Sequence, residues 1–543
     1  MLSPEYLQDL PEPVLALWRQ AEEDILREMA RRIQSMEYWV PSVQWQQEKL
    51  REAGETEQEI LRILSRYTGQ TEAALRQLMQ EAATEALKND AAVHEVAGQA
   101  VPSFRDSQVL RDKLTAGFLA TRGTMRNLTR TTARTATGQF EAALDRAWMQ
   151  VTSGAFSHQQ AVLHAIDSLA KEGIDAIRYP SGHRDTIETA VRRAVVTGVN
   201  QTALRCQEAL SDEVGCDLVE VTAHEGARPS HAVWQGKIYS RSGESEKYPK
   251  LADATGYGTG AGLGGWNCRH SFHPWYEGTP RTWTEEQLEQ LKEKDITYNG
   301  EQMTRYDASQ RQRSIERQLR RWKREYVARE AAGEDTGPAA AKIQAWNAKQ
   351  KDFLKQTGLK RQGSREEAAG WTGRKATEAS RQANENHRAW LKSIGADETT
   401  LKTLDNYYAG KYDNSPEYQL LQGYARAVGE GSISPLVGFD LYQQIDREIM
   451  EKLIGQKTST GLLIKSHTTH FIDRVIGQTS TSHKDMRCGV TVDEVLDTVL
   501  NGTPGKIQTN ARGQQSIQIV GKNNAVTINP DTGVLIQVNP KKK

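Results

Sequence analysis

Asp217-Leu-Val-Glu-Val-Thr-Ala-His224-Glu-Gly-Ala-Arg-Pro-Ser-His231-Ala-Val-Trp234-Gln-Gly-Lys-Ile-Tyr239 is the stretch where the pattern of the chain changes. Its first seven residues alternate loosely and are rich in valine, which predicts a strand. A loop-rich, aromatic region follows to Gly278 and contains Gly264-Gly-Trp266-Asn-Cys268-Arg-His270-Ser-Phe-His273-Pro-Trp275. Six glycines fall between Gly256 and Gly265, enough for sharp turns and close backbone approach. Gly260, Gly262 and Gly265 match G-x-G-x-x-G in form. No hydrophobic strand precedes them, and Trp-Asn-Cys-Arg-His running towards a proline is no helix start, so a dinucleotide site is rejected.

Helical patterns surround this region. Residues 1 to about 120 place apolar positions at helical spacing among Ala, Glu, Gln, Leu and Arg, all strong helix formers. The pattern continues from Phe140 to Leu169, and again to about Leu210 from Asp185, where Asp185-Thr186 offers a cap before Ile187. Tyr306 to Arg329 reads as a strongly charged helix. Residues 331–400 are rich in Ala, Gln, Lys and Gly with little apolar content, which predicts a connector with loose helical pieces. Apolar and aromatic residues return from Leu401 to about Gln456. In the tail, helical patterns at Phe471–Ile476 and Val492–Leu500 precede three strand-like runs, Ser516–Val520, Ala525–Ile528 and Val534–Val538, separated by turn-forming sequences. The expected fold is multi-domain: a mainly α N-terminal half with a loop-rich α+β module, plus a small C-terminal α+β domain. The expected divisions are 1–120, helical; 121–285, the loop-bearing core; 286–330, a basic helical extension; 331–455, the connector; and 456–543, the tail domain.

The 543 residues hold 70 basic and 70 acidic side chains, so no global charge draws the chain to nucleic acid or to a membrane, and any such attraction is local. No apolar run approaches the ~18 residues that span a bilayer. The N-terminus has neither a basic nor an apolar leader region, so no secretory signal is expected. Four cysteines, Cys206, Cys216, Cys268 and Cys488, exclude a disulfide scaffold and favour a reducing compartment.

Four constellations could carry chemistry. Arg122, Arg126, Arg130 and Arg134 share one helical face with no acidic residue between Thr121 and Phe140. They suit phosphate contact on nucleic acid, or pairing with carboxylates of neighbouring helices. Gln310–Arg324 holds seven basic side chains, among them Arg317, Arg320, Arg321 and Arg324, against Glu316 alone. That excess suits nucleic acid, an acidic partner, or a solvated face. His224, His231, Cys268, His270 and His273 offer a thiolate and imidazoles for a structural zinc, though without paired C-x-x-C spacing. The other reading is a set of packed side chains that stiffen the loop. Finally, His467, His470 and Arg474 fall at i, i+3 and i+7, which places them on one helical face beside Lys465. A histidine there could take a proton from an RNA 2′-hydroxyl, Lys465, Arg474 and Arg487 could hold the phosphate, and His483 could protonate the leaving oxygen. A solvated histidine cluster fits the same residues.

His224 to Tyr239, Thr255-Gly-Tyr-Gly-Thr-Gly260, Gly264 to Phe272, and the later block Tyr306…Gln310-Arg-Gln-Arg-Ser-Ile-Glu-Arg317 together resemble phage minor capsid proteins of the minor capsid 2 family. These are relatives of the Mu F-like head-morphogenesis proteins. The resemblance covers most of residues 1–330. It implies a low-copy protein of the phage head interior, made in the host cytoplasm, with portal, capsid and packaged DNA as partners, no membrane, and no catalysis in that part. Where some Mu F relatives carry Cys-Arg-Cys, this chain has Cys268-Arg-His270. The tail is similar to polymorphic toxin type 50 at Ile464-Lys-Ser466, His470 to Gly477, Arg487 to Val490, Val495 to Asp497 and Gly521 to Gln537. That resemblance implies a ribonuclease of the barnase-, colicin- and RelE-like fold group. It supports Lys465, His470, Arg474 and Arg487 as catalytic candidates and adds Thr527. The alternative is a purely structural or DNA-ejection protein with an inert tail.

Overall fold

The computed structural model describes the chain except Ser103, Arg105, residues 480–486 and residues 542–543. Two compact units divide it, Met1–Ala376 and Thr377–Lys543.

The first unit is built on long helices. After α1 (Pro4–Asp9) come α2 (Glu12–Ser35), α3 (Ser42–Val96), α4 (Gln108–Thr152) and α5 (His158–Glu172). A hairpin of β1 (Asp175–Arg178) and β2 (Arg184–Thr186) leads into α6 (Ile187–Glu213). The strand expected at 217–223 is β3 (Leu218–Val221). It is the centre of a three-stranded antiparallel sheet, flanked by β4 (Ile238–Ser240) and β5 (Phe272–Pro274), with the turns α7 (Pro229–Ala232) and α8 (Leu251–Thr255) in the loops between them. Then follow α9 (Glu285–Gln290), the hairpin β6 (Ile296–Tyr298) and β7 (Glu301–Met303), α10 (Arg305–Ala331) and α11 (Gly337–Thr357).

Helices α3, α4 and α6 pack side by side around fully buried Trp18, Trp45 and Phe140. The contact between α4 and α6 is a reciprocal glycine–threonine exchange. A Cβ on Gly117 of α4 would fall 2.1 Å from Thr202 Oγ1, and a Cβ on Gly198 of α6 would fall 2.2 Å from Thr121 Oγ1. Each threonine hydroxyl donates to the carbonyl four residues back, Thr121 to Gly117 and Thr202 to Gly198, so neither is left unsatisfied in the contact. Further along α4, Thr129, Thr132 and Thr137 are also buried. Thr121, Thr129, Thr132 and Thr137 therefore lie on the packing face of α4, whereas Arg126, Arg130 and Arg134 are exposed.

Two expectations about residues 121–455 need correction. Asp185-Thr186 does not cap α6 through a side chain; Asp185 instead accepts from Tyr179 and Arg193. Helices also run through the stretch expected to be a loose connector. Helix α11 buries Ala339, Ala340, Ile343 and Phe353, the last in a cluster with Tyr298, Ile315 and Leu319. A narrow apolar stripe is enough to dock a helix whose overall composition is polar. The division between units falls inside α12 (Gly373–Ser393).

The second unit continues with α13 (Leu404–Tyr412), α14 (Pro416–Gly429) and α15 (Phe439–Lys452). The short strand β8 (Ser466–His467) precedes α16 (Thr469–Ile476), α17 (Val492–Asn501), β9 (Thr503–Pro504), β10 (Gln508–Thr509), β11 (Gln515–Val520), β12 (Asn524–Ile528) and β13 (Val534–Pro540). The sheet order is β10-β11-β12-β13-β8, with β9 also on β11; every pairing is antiparallel except β13 with β8. The three strand-like runs of the tail sequence are the β11–β13 meander, and both helical patterns are present as α16 and α17. Phe471, Val495, Ile519, Val526 and Leu535 meet in this unit's own core.

The glycine–threonine contact gives two substitutions of opposite sign. Gly198→Ala should destabilise the first unit by about 1–3 kcal/mol, because the new methyl has no room. Gly123→Ala, on the open face of α4 with nothing within 4 Å, should stabilise by about 0.5–1 kcal/mol through backbone entropy. Denaturant midpoints of the two variants decide it; equal shifts would rule out close packing at this crossing.

Candidate functional site

In the first unit a cavity of about 380 Å³ opens among α1, α6, α10 and the loops around His231 and His270. The sequence explains how the loops are held. The expected close backbone approach is present: a Cβ on Gly262 would lie 2.0 Å from Gly256 O, and one on Gly265 would lie 2.4 Å from Gly260 O. Buried Asn200 on α6 donates from Nδ2 to Cys268 O (3.2 Å) and His270 O (3.0 Å). Two turns along the same helix, buried Gln207 donates to Asp90 Oδ2 (2.7 Å) and Phe272 O (2.8 Å). Asn200 and Gln207 were not singled out in the sequence. Their signal was present: two amides seven residues apart within the buried, largely apolar face of a helix.

Of the five zinc-ligand candidates, three come together. His231, Cys268 and His270 are buried, with Cys268 Sγ 3.7 Å from His231 Nδ1 and 3.6 Å from His270 Nδ1. The Nε2 atoms have their own acceptors, Ala261 O at 2.9 Å for His231 and Gln235 Oε1 at 3.0 Å for His270. Nε2 therefore carries the proton on each ring, and both Nδ1 lone pairs face one thiol. A single S–H hydrogen satisfies only one of them. A tetrahedral zinc would satisfy all three groups; with bonds of about 2.0–2.3 Å its N-to-S edge is about 3.5 Å. The donor set thus fits three corners of a zinc site. His224 stacks on His270 with ring centroids 4.5 Å apart and directs Nδ1 to Glu225 O. His273 is elsewhere, 3.3 Å from Glu220 Oε2. Burial pushes His224 down to about 4, lowers His231 and His270, and raises the Cys268 thiol. The imidazoles are neutral, which a metal ligand requires.

The basic helices are less open than expected. In α10, Arg320 pairs with Glu188, and Arg324 Nη1 lies 3.3 Å from Glu22 Oε1. Arg321 lies 5.3 Å from the Trp322 ring, with its Nε buried, and Arg317 is exposed. Arg320 and Arg324 thus make internal ion pairs, which departs from a nucleic-acid-facing surface. In the α4 ladder, Arg122 lies 5.8 Å from the Phe118 ring and Arg126 Nε is 2.7 Å from Glu72. Arg130 and Arg134 are exposed with no carboxylate partner among the described residues.

In the second unit the structure corrects the expected helical face. His467 lies on β8, before α16 begins, and its Nε2 is 3.0 Å from Asp446. His470 and Arg474 do share a face: Arg474 Nε donates to His470 Nε2 at 3.1 Å. His470 Nδ1 looks towards Asp473 Oδ2 at 3.7 Å, and Asp473 Oδ1 accepts from Tyr442 at 2.8 Å. The His470 side chain is 45% exposed. Lys465 is exposed, Arg487 half-buried, and Thr527 half-buried on β12 opposite Gln518 and Gln537. No hydrogen bond or ion pair joins these three to His470 among the described residues. His483 lies outside the described residues.

Residues 2–355 match the family Phage minor capsid protein 2, all within the first unit. The chain belongs to this family. A structural protein of Lactococcus phage LL-H is 29% identical over 237 residues, 42% of this chain and 61% of that protein. A structural protein of Lactococcus phage mv4 is 39% identical over 87 residues, 16% of this chain and 62% of that protein. The chain thus spans about three fifths of the length of these relatives. No solved structure matches. No helix among the described residues is long and apolar enough to cross a membrane. Family and relatives agree in kind: the family is one of phage minor capsid proteins, and both relatives are phage structural proteins.

The buried and exposed thiols of this minor capsid protein should separate chemically. Cys206, Cys216 and Cys268 are buried and Cys488 is exposed; burial pushes Cys206 up to about 12 and raises Cys216 and Cys268. An aromatic disulfide reagent should modify Cys488 in the native protein and reach the other three only on unfolding. Rapid native modification of Cys268 would contradict the closed loop.

Proposed function

We propose that the first unit is an internal head scaffold next to the portal and the packaged DNA, and that the second unit is an RNA-cleaving effector carried with it. The scaffold reading rests on the family and on the rigid, glycine-folded loop, which a zinc on His231, Cys268 and His270 would brace. Arg130, Arg134 and Arg317 are exposed DNA-facing candidates without a carboxylate partner among the described residues.

The effector reading rests on one observation: an exposed imidazole, His470, bonded by a guanidinium through Nε2 and set beside an anchored carboxylate. An arriving phosphodiester competes for Arg474 and frees His470 Nε2 to accept the 2′-hydroxyl proton. Asp473 then faces the Nδ1 side of the charged ring. Lys465 and Arg487 supply further positive charge for the phosphate. The second reading, an inert tail on a purely structural or DNA-ejection protein, draws on the same bond, because His470 Nε2 is already occupied in the free state.

Incubating the full chain with single-stranded RNA separates the two. Cleavage is expected, with His470→Ala slower by about 10²–10⁴-fold and an unchanged melting temperature. RNA left intact by the full chain supports the inert tail, and RNA cut equally by the variant removes His470 as the base.

A further inference from the structure

Seven arginines line the 380 Å³ cavity of the first unit: Arg192 on α6, Arg228 and Arg269 on the loops, Arg313, Arg317 and Arg320 on α10, and Arg365 after α11. The lining carboxylates are Glu188 and Glu316. Glu188 pairs with Arg320, and Arg192 pairs with Glu12. Arg365 Nη1 is 3.9 Å from Glu316. Arg228, Arg269, Arg313 and Arg317 have no carboxylate partner among the described residues. Arg228 donates to Trp266 O at 3.0 Å and Arg269 to Gln8 Oε1 at 2.6 Å, both neutral acceptors. Arg313 Nε is buried with no hydrogen-bond partner among the described residues.

This concentration of like charge is costly without a counter-ion. Burial and then neighbouring arginines push Arg313 down to about 10 and lower Arg365. Glu316 does not cancel the excess. Burial raises it to about 7, so it is partly uncharged near neutrality, and Arg365 reaches it only at 3.9 Å.

We propose that the cavity is a binding site for a small, multiply charged phosphate, of the inorganic triphosphate or nucleoside triphosphate class. Guanidinium forks match phosphate oxygens in pairs, and the side chains come from separate elements already fixed by packing. The volume lies within the ~300–1,000 Å³ of small-molecule sites. A concave site walled by helices and loops suits a compact anion better than a polymer lying along a surface. This inference is independent of the effector reading, whose residues are in the other unit.

The test is calorimetry of the full chain with inorganic triphosphate, pyrophosphate and orthophosphate at matched ionic strength, alongside thermal melting. Saturable binding is expected, tightest for triphosphate. Arg313→Gln and Arg269→Gln should each weaken it roughly ten- to hundredfold, while Arg62→Gln, at an exposed arginine outside the cavity lining, leaves it unchanged. Without ligand, Arg313→Gln should melt no lower than the wild type, because it removes an unpaired buried charge; a purely structural arginine would lower it. Several results would overturn the proposal. These are no saturable binding, equal binding by the cavity variants, loss of binding after metal chelation, or a DNA duplex that binds at Arg313 without competition from triphosphate.

Discussion

One buried amide holds the first unit's site together. Asn200 donates to two carbonyls, those of Cys268 and His270, about seventy residues further along the chain. Neither carbonyl has a regular ladder to join, and a buried peptide oxygen without a donor is costly. The loop is therefore anchored to α6, and α6 is itself locked to α4 by the Gly198–Thr121 and Gly117–Thr202 contacts. Placement runs in one direction, from the helical core through α6 to the loop, the triad and the cavity. The glycines are a consequence: with both ends of the loop pinned, its backbone must fold on itself at Gly262 and Gly265, where a Cβ has no room.

Electrostatics in this protein is a matter of place rather than total. Equal numbers of basic and acidic residues give no net field, yet positive charge gathers on the cavity side of α10. The two ends of that helix are treated differently. Towards its C-terminus, Arg320, Arg324 and Arg329 meet Glu188, Glu22 and Asp167 from other helices. Those buried pairs fix how α10 docks, because removing one partner strands the other charge. Around Arg313 and Arg317 no such carboxylates arrive among the described residues, whereas Arg305 and Arg311 nearer the N-terminus pair with Glu225 and Glu301. The same helix thus acts as internal cement towards its C-terminus and leaves Arg313 and Arg317 uncompensated where it lines the cavity.

How much of this was legible follows from the range of the interactions. The β11–β13 meander, α16 and α17 could be read because period and turn chemistry are local. Helix α10 was legible for the same reason, and the family motif marked the loop. The α4 arginines were read as one ladder, but Arg126 finds Glu72 on α3, a pairing fifty-four residues away that no local pattern encodes. His224 and His273 looked equivalent to His231 and His270, since spacing does not say which way a ring turns. The i, i+3, i+7 reading of His467, His470 and Arg474 assumed a continuous helix, whereas Thr468 caps α16 and leaves His467 in the preceding strand. The cavity arginines come from five distant segments and were invisible as a group.

The second unit stands on a different physical footing. Its core is closed by residues from Leu391 onward, so its helices and sheet need no apolar surface from elsewhere. The strands at the two edges of this sheet are each two residues long, β9 and β10 against β11 on one side and β8 against β13 on the other. Short edges offer little template for pairing with another chain. The β8 edge carries His467, tied to Asp446, and then turns directly into the helix that presents His470. The polar residues that end the sheet are thus continuous with those that could meet a phosphate. An edge has to be polar to stay unpaired, so negative selection against aggregation and positive selection for an anion site favour the same side chains there. Histidines at this position do not by themselves argue for catalysis; the Arg474–His470 bond, which edge protection does not require, is the feature that separates the two.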